Sequence, residues 1–238
     1  MDPAHPGDGA SSAESGPAPG LHRALLESGN LQDIIAREAP SLRMTTQEER
    51  EASLQAMLDG RQGQEIWVFA YGSLIWNPLI EIIERRRVRI EGWHRSFCLT
   101  TVAGRGSLAH PGLVLALEPG GCCEGQALRL PRAKAEGELR LLWQREMITW
   151  AYLPRWVKML DAAGQPVGEA ITFVMNQASE QYAGALSPEE VVRRIATGRG
   201  SLGSSADYLY RTRDGLRGCG IRDEALEALA QSVEVAQA

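Results

Sequence analysis

No stretch of this 238-residue chain approaches the roughly 18 consecutive apolar residues that a membrane-spanning helix requires, and its net charge of −5 argues against an anionic membrane as a partner. Its start carries Asp2 and no apolar core of the kind that marks a signal peptide. Basic charge is short: 25 Lys and Arg stand against 30 Asp and Glu, for a net charge of −5, which argues against nucleic acid as a partner. Only four cysteines are present, Cys98, Cys122, Cys123 and Cys219, with neither C-x-x-C spacing nor a secreted disulfide framework. Reduced thiols in a cytoplasmic protein are expected. Histidine is equally scarce, and neither His94 nor His110 has a thiol or carboxylate at ligand spacing, so no metal site is expected.

With 44% hydrophobic residues, the chain has enough apolar content for one domain with a substantial core or two small ones. Residues 1–20 are rich in Gly, Pro, Ala and Ser and are expected to be disordered. Residues 21–63 read as a helical extension. A helix from Leu21 to Arg37 is interrupted near Gly29-Asn30. A second starts at Thr46, with Glu49 completing a capping box, and ends by Gly60.

Trp67-Val68-Phe69-Ala70-Tyr71-Gly72-Ser73-Leu74-Ile75-Trp76 opens as a buried strand and breaks at a sharp Tyr-Gly-Ser turn. Gly72 allows a ligand close to the main chain, and successive N–H groups in such a turn favour negative charge. Spacing alone leaves both readings open, a plain strand end or a ligand cradle. Strands are expected around Val88 and Ile90 and at 93–101, 113–118 and 124–130, with Pro119-Gly120-Gly121 as the turn between the last two. Arg85-Arg86-Arg87, diluted by Glu81, Glu84 and Glu91, reads as a solvated strand edge.

A helix follows from about Arg132 to Met147. Leu139, Leu142, Trp143 and Glu146 fall on one face, so the packing stripe contains a carboxylate. It also sits in the last turn, where the helix dipole disfavours negative charge. Burial and the dipole together would raise its pKa, as suits a general base, while an ion pair with Arg145 or Arg155 is the structural alternative. Strands at 155–160 and 170–175 form a hairpin around 161–166. A helix capped by Ser187 ends at Gly198, and further helices run over 206–217 and 223–235. The formal G-x-G-x-x-G at 198–203 follows a helix rather than a strand. It is therefore read as a flexible loop, not a dinucleotide site.

Tyr71-Gly72-Ser73-Leu74, Arg145-Glu146-Met147 and Asp207-Tyr208-Leu209, in that order and spacing, resemble the ChaC-like family of γ-glutamylcyclotransferases. The likeness covers about residues 64–220, with Ala70 where Gly is commoner and Ser205 where Asn is commoner. It implies an α+β fold, a small mixed β-barrel with flanking helices, over a domain spanning 64–238. It implies cleavage of glutathione to 5-oxoproline and Cys-Gly without cofactor or water.

By the same resemblance Glu146 is the base, and Tyr71, Gly72, Ser73, Leu74, Ile75, Trp76 and Tyr208 bind substrate. The substrate's α-amino group attacks its own γ-carbonyl, so orientation can supply up to roughly 7–11 kcal/mol of the barrier. Alternatives within the fold are γ-glutamyl amino acids or amines as substrates. Outside catalysis, the alternative is a γ-glutamyl-binding module. A serine hydrolase on Ser73 is disfavoured, because the turn lacks G-x-S-x-G and no Asp–His pair accompanies it.

Overall fold

The aromatic and β-branched run at 67–70 forms a four-residue strand, β1 (Trp67–Ala70), buried at every position. The computed structural model describes residues 20–238, so the expected disordered tail lies, apart from Gly20, outside the described residues. Strands β2 (Glu84–Thr101), β3 (Gly112–Arg129), β4 (Tyr152–Leu160) and β5 (Pro166–Met175) join β1 in a closed barrel of order β1-β3-β2-β4-β5. Every pairing is antiparallel except β1 with β5, where Val68 lies opposite Ile171. Closure leaves no sheet edge unpaired across the core.

β2 and β3 form one long hairpin, in register from Glu84 opposite Arg129 to Thr101 opposite Gly112. The expected turn at Pro119-Gly120-Gly121 is therefore wrong. Glu91 pairs with Cys122 and Trp93 with Pro119, so Gly120 and Gly121 bulge opposite Gly92. All three glycines have positive φ (81°, 105° and 64° for Gly92, Gly120 and Gly121), which bends the ribbon instead of ending it. The basic run on β2 is solvated as expected but is not an edge, since β2 lies between β3 and β4 in the closed barrel. Arg86 contacts Glu84 and Arg87 pairs with Glu124 at 2.7 Å, both exposed.

Before the barrel come α1 (Arg23–Glu27), α2 (Asn30–Glu38) and α3 (Gln47–Leu58). Gly29, at φ 74°, separates the first two, and Thr46 and Glu49 close the capping box that starts the third. After β1, the chain does not continue as an extended strand end. It winds from Gly72 into a single helical turn, α4 (Ser73–Trp76).

One 3₁₀ turn (Arg132–Lys134) leads into α5 (Ala135–Glu146), whose Leu139, Leu142 and Trp143 are buried. Trp143 stands edge-on to Phe173 of β5 at 5.1 Å and donates to Ser53 of α3, so this helix is wedged between barrel and extension. Helices α6 (Pro188–Thr197), α7 (Ser205–Gly218) and α8 (Glu224–Gln237) complete the fold.

The glycine-rich stretch at 198–203 is not a flexible loop. It forms a two-stranded hairpin, β6 (Arg199–Gly200) with β7 (Gly203–Ser204). A Cβ on Gly200 would stand 2.4 Å from Gly106 O and 2.5 Å from Gly104 O, so glycine is required for this hairpin to seat on the β2–β3 loop. Ser205, in place of the commoner Asn, is fully buried, and its hydroxyl donates to Leu113 O and accepts from Leu113 N–H. The substitution thus leaves the start of α7 tied to β3.

Candidate active site

The turn after β1 presents its residues in different directions. Tyr71 is buried, its hydroxyl donating to Phe173 O at 2.8 Å while its carbonyl accepts from Arg95 Nε at 2.9 Å. Gly72 caps α4, and the first N–H groups of a helical turn lack an intrahelical acceptor. Among the described residues, the N–H groups of Gly72, Ser73 and Leu74 donate to no protein acceptor. Ser73 Oγ accepts from Arg145 Nη2 at 2.8 Å. Trp76 faces the cavity and donates from Nε1 to Thr212 Oγ1. Ile75 is the exception: it packs towards Gly215 of α7 and borders neither cavity described below, so its side chain supports the turn from behind.

Glu146 ends α5 with its side chain 14% exposed. Arg145 Nε lies 2.9 Å from Oε1, yet without hydrogen-bond alignment, and Oε1 is buried with no hydrogen-bond partner. The remaining donors of Arg145 are engaged by Asn77 O and Pro78 O (Nη1) and by Ser73 Oγ (Nη2). Arg155 is exposed on β4 and makes no ion pair with it. The carboxylate is therefore a poorly satisfied neighbour of Arg145, not one half of a closed salt bridge. Burial pushes its pKa up, and Arg145 opposes that only in part.

A stability consequence follows from that direction. The folded-state pKa exceeds the ordinary 4.5, so the native state holds the proton more tightly than the unfolded chain. The resulting stabilisation is complete below 4.5 and is lost as pH rises through the folded value. At pH 7 the buried charge is a net cost. Glu146→Gln is expected to raise stability there by about 1 kcal/mol, or ~2–4 °C in Tm, with the gap shrinking as pH is lowered. Thermal unfolding of both proteins at pH 7 and pH 4 measures it.

Two voids meet at this carboxylate. The outer cavity, about 200 Å³, is bordered by Ser73, Trp76, Arg105, Arg145, Glu146, Tyr152 and Tyr208, with Leu31, Ile35 and Leu42 of the extension as an apolar wall. The inner one, about 20 Å³, lies against Tyr71, Gly72, Ser73, Leu74, Glu146 and Tyr208 and has room for a single water-sized group. Ser73, Glu146, Tyr152 and Tyr208 border both. Of the residues singled out in the sequence, all but Ile75 thus converge.

Tyr71, Tyr152 and Tyr208 all have pKa values raised first by burial and then by neighbouring charge or ionisable groups, Glu146 among them, so they remain neutral hydroxyls. Tyr152 was not singled out by any sequence pattern. It begins β4, donates to Leu115 O at 2.7 Å and completes the ring around Glu146. Thr45 was also missed. Its N–H donates to Ile148 O at 2.9 Å and its hydroxyl to Met147 O, while Gln32 Nε2 donates to Gln144 O. These bonds satisfy carbonyls at the end of α5, which a helix by itself leaves open. The N-terminal helices, without motifs, hold the end of the helix that carries Glu146.

The closed mixed β-barrel with its flanking helices is a γ-glutamylcyclotransferase-like fold. The crystal structure of the glutathione-specific γ-glutamylcyclotransferase from yeast superposes on it with a TM-score of 0.65, covering 71% of this chain and 96% of that one at 22% identity. The chain belongs to the ChaC-like family, whose model matches residues 66–236. It is 42% identical over 188 residues to the glutathione-specific γ-glutamylcyclotransferase of Escherichia coli (strain K12), covering 79% of this chain and 81% of that protein. It is 31% identical over 176 residues to the human glutathione-specific γ-glutamylcyclotransferase 1, covering 71% and 79%.

Proposed function

We infer that this chain is a glutathione-specific γ-glutamylcyclotransferase, with Glu146 as its general base. The observation that carries the reading is the carboxylate itself. Its pKa is raised, its Oε1 has no hydrogen-bond partner, and it stands where two cavities join beside the Tyr71–Leu74 turn.

The chemistry is proton management around an intramolecular attack. Glu146 takes a proton from the substrate's α-ammonium group, and the amine nitrogen forms a bond to the γ-carbonyl carbon. Negative charge then develops on the carbonyl oxygen, where unengaged N–H groups of Gly72, Ser73 and Leu74 are placed to stabilise it or the α-carboxylate. Collapse breaks the bond to the cysteinyl nitrogen. The ring nitrogen gives up its second proton as the intermediate collapses, and Glu146 relays both protons to the cysteinyl nitrogen. 5-Oxoproline and Cys-Gly, the latter as its ammonium form, thus depart with no water consumed.

Tyr71 and Tyr208 border the pocket as neutral hydroxyls and Trp76 supplies a wall, while Ile75 acts only by packing. Ser73 is held by Arg145, and among the described residues no histidine borders either cavity, which speaks for a cradle rather than a nucleophile. The catalytic unit is taken as 64–238 with 21–63 as its helical extension. The buried thiols of Cys98 and Cys123 have pKa values pushed up to about 12 and about 11 by burial, which fits unpaired cysteines in a reducing cytoplasm.

The test is incubation of purified protein with glutathione, following 5-oxoproline and Cys-Gly together. Equimolar release, faster than from γ-glutamyl-alanine, is expected. Preference for γ-glutamyl-alanine would move the assignment to γ-glutamyl amino acids. Tight glutathione binding without product would make the chain a binding module.

A further inference from the structure

Only three charged side chains border the outer cavity among the described residues: Glu146, Arg145 and Arg105. Arg145 is committed to the turn and to Glu146 through all three of its nitrogens. Arg105 is different. Its Nη1 donates to Ser204 O at 3.0 Å and Asp207 Oδ2 at 3.1 Å, but its Nε and Nη2 donate to no protein acceptor among the described residues. Neither nitrogen is sealed from solvent, although the side chain as a whole is only 15% exposed. Asp207 is shared with Arg211 at 3.0 Å, so the two guanidinium groups exceed the one carboxylate between them.

The group is also held in place. Its guanidinium carbon lies 5.4 Å from the Tyr208 ring centre and 5.7 Å from the Trp76 ring centre. Its loop is fixed by Gly104 N–H donating to Glu38 at 2.7 Å and Leu202 N–H donating to Gly104 O at 2.7 Å. A flat cation that borders the outer cavity and leaves two nitrogens without a protein acceptor is suited to bidentate capture of a carboxylate.

Resting on the functional reading above, we propose that Arg105 receives the C-terminal carboxylate of the leaving dipeptide and selects tripeptide substrates. The α-carboxylate and α-amino group of the γ-glutamyl arm are taken up at the turn and Glu146. Measured from the γ-carbonyl, the second carboxylate of the substrate lies two residues further on, at most about 7 Å in extended chain. Arg105 packs over Tyr208 and beside Trp76, and of the two arginines that border the outer cavity it is the one not committed to the turn.

The experiment compares glutathione with its glycinamide analogue, in wild type, Arg105→Gln and Arg105→Lys, by 5-oxoproline release. Wild type is expected to favour glutathione in kcat/KM by roughly 10–100-fold, the range of a charge-assisted pair. In Arg105→Gln the ratio should fall to within about threefold of one, mainly through a higher KM for glutathione, and Arg105→Lys should restore part of it. An equal loss on both substrates in Arg105→Gln would reduce Arg105 to a packing residue of α7. So would a wild type that ignores the amide. A wild type inactive on both substrates would instead remove the functional reading, and this inference with it.

Discussion

In Glu146→Gln, release of 5-oxoproline from glutathione falls in kcat by about 10²–10⁴-fold, the usual contribution of a positioned general base. That is a barrier increase of roughly 3–5 kcal/mol at 1.36 kcal/mol per decade. Gln keeps the size and planarity of the side chain but cannot accept the ammonium proton. Because the carboxylate is a net cost to the fold at neutral pH, the variant remains folded, and a loss of activity cannot be assigned to unfolding. KM should change little, since the cradle and aromatic walls are untouched.

The acid limb of kcat/KM in wild type is expected above the ordinary glutamate value of 4.5, because burial raises the pKa that must be crossed to generate the base. Undiminished turnover by Glu146→Gln would hand the proton chemistry to another group. Rates with both proteins across pH 4–9, with circular dichroism as the control for folding, decide it.

How far the sequence foretold this arrangement depended on the range of the interactions involved. The capping box at Thr46, the Ser187 cap and the carboxylate on the apolar face of α5 are local patterns, and the structure keeps all three. Barrel closure is not local. It rests on the parallel pairing of Val68 with Ile171, which periodicity along one strand does not encode and which came only through family resemblance.

Pro119-Gly120-Gly121 misled because positive-φ glycines serve a turn and a bulge equally well. What decides between them is the partner strand, and here Gly92 lies opposite. Likewise Gly200 looked like a flexible element because its reason for being glycine, the carbonyls of Gly104 and Gly106, lies on a separate loop. Thr45, Arg105 and Tyr152 carry no motif. Each acquires its role from a contact made across the fold: Met147 and Ile148 for the first, Tyr208 and Trp76 for the second, Leu115 for the third.

Gly72→Ala should be the most damaging single-methyl change in the site, with kcat/KM reduced by about 100-fold. The reason is proximity to the Tyr208 hydroxyl. An added Cβ would stand 2.9 Å from Tyr208 Oη and 3.7 Å from Leu115 Cδ1. A free hydroxyl would simply swing aside. This one belongs to a buried ring held edge-on by Trp76 and Phe97, each at 6.1 Å, with Arg105 over its face. The turn therefore has to yield, and displacing its N–H groups relative to Glu146 by even ~1 Å costs orders of magnitude in rate.

Overpacking of this kind should cost about 1–3 kcal/mol in stability as well. Tyr208→Phe removes the atom that clashes. In Gly72→Ala/Tyr208→Phe the stability loss should be smaller than the sum of the single losses by at least ~1 kcal/mol, a coupling that only direct contact produces. Denaturant unfolding of the four proteins measures that coupling. Strict additivity, or a Gly72→Ala protein with wild-type kcat/KM, would show that the turn and Tyr208 do not share the space on which the proposed cradle depends.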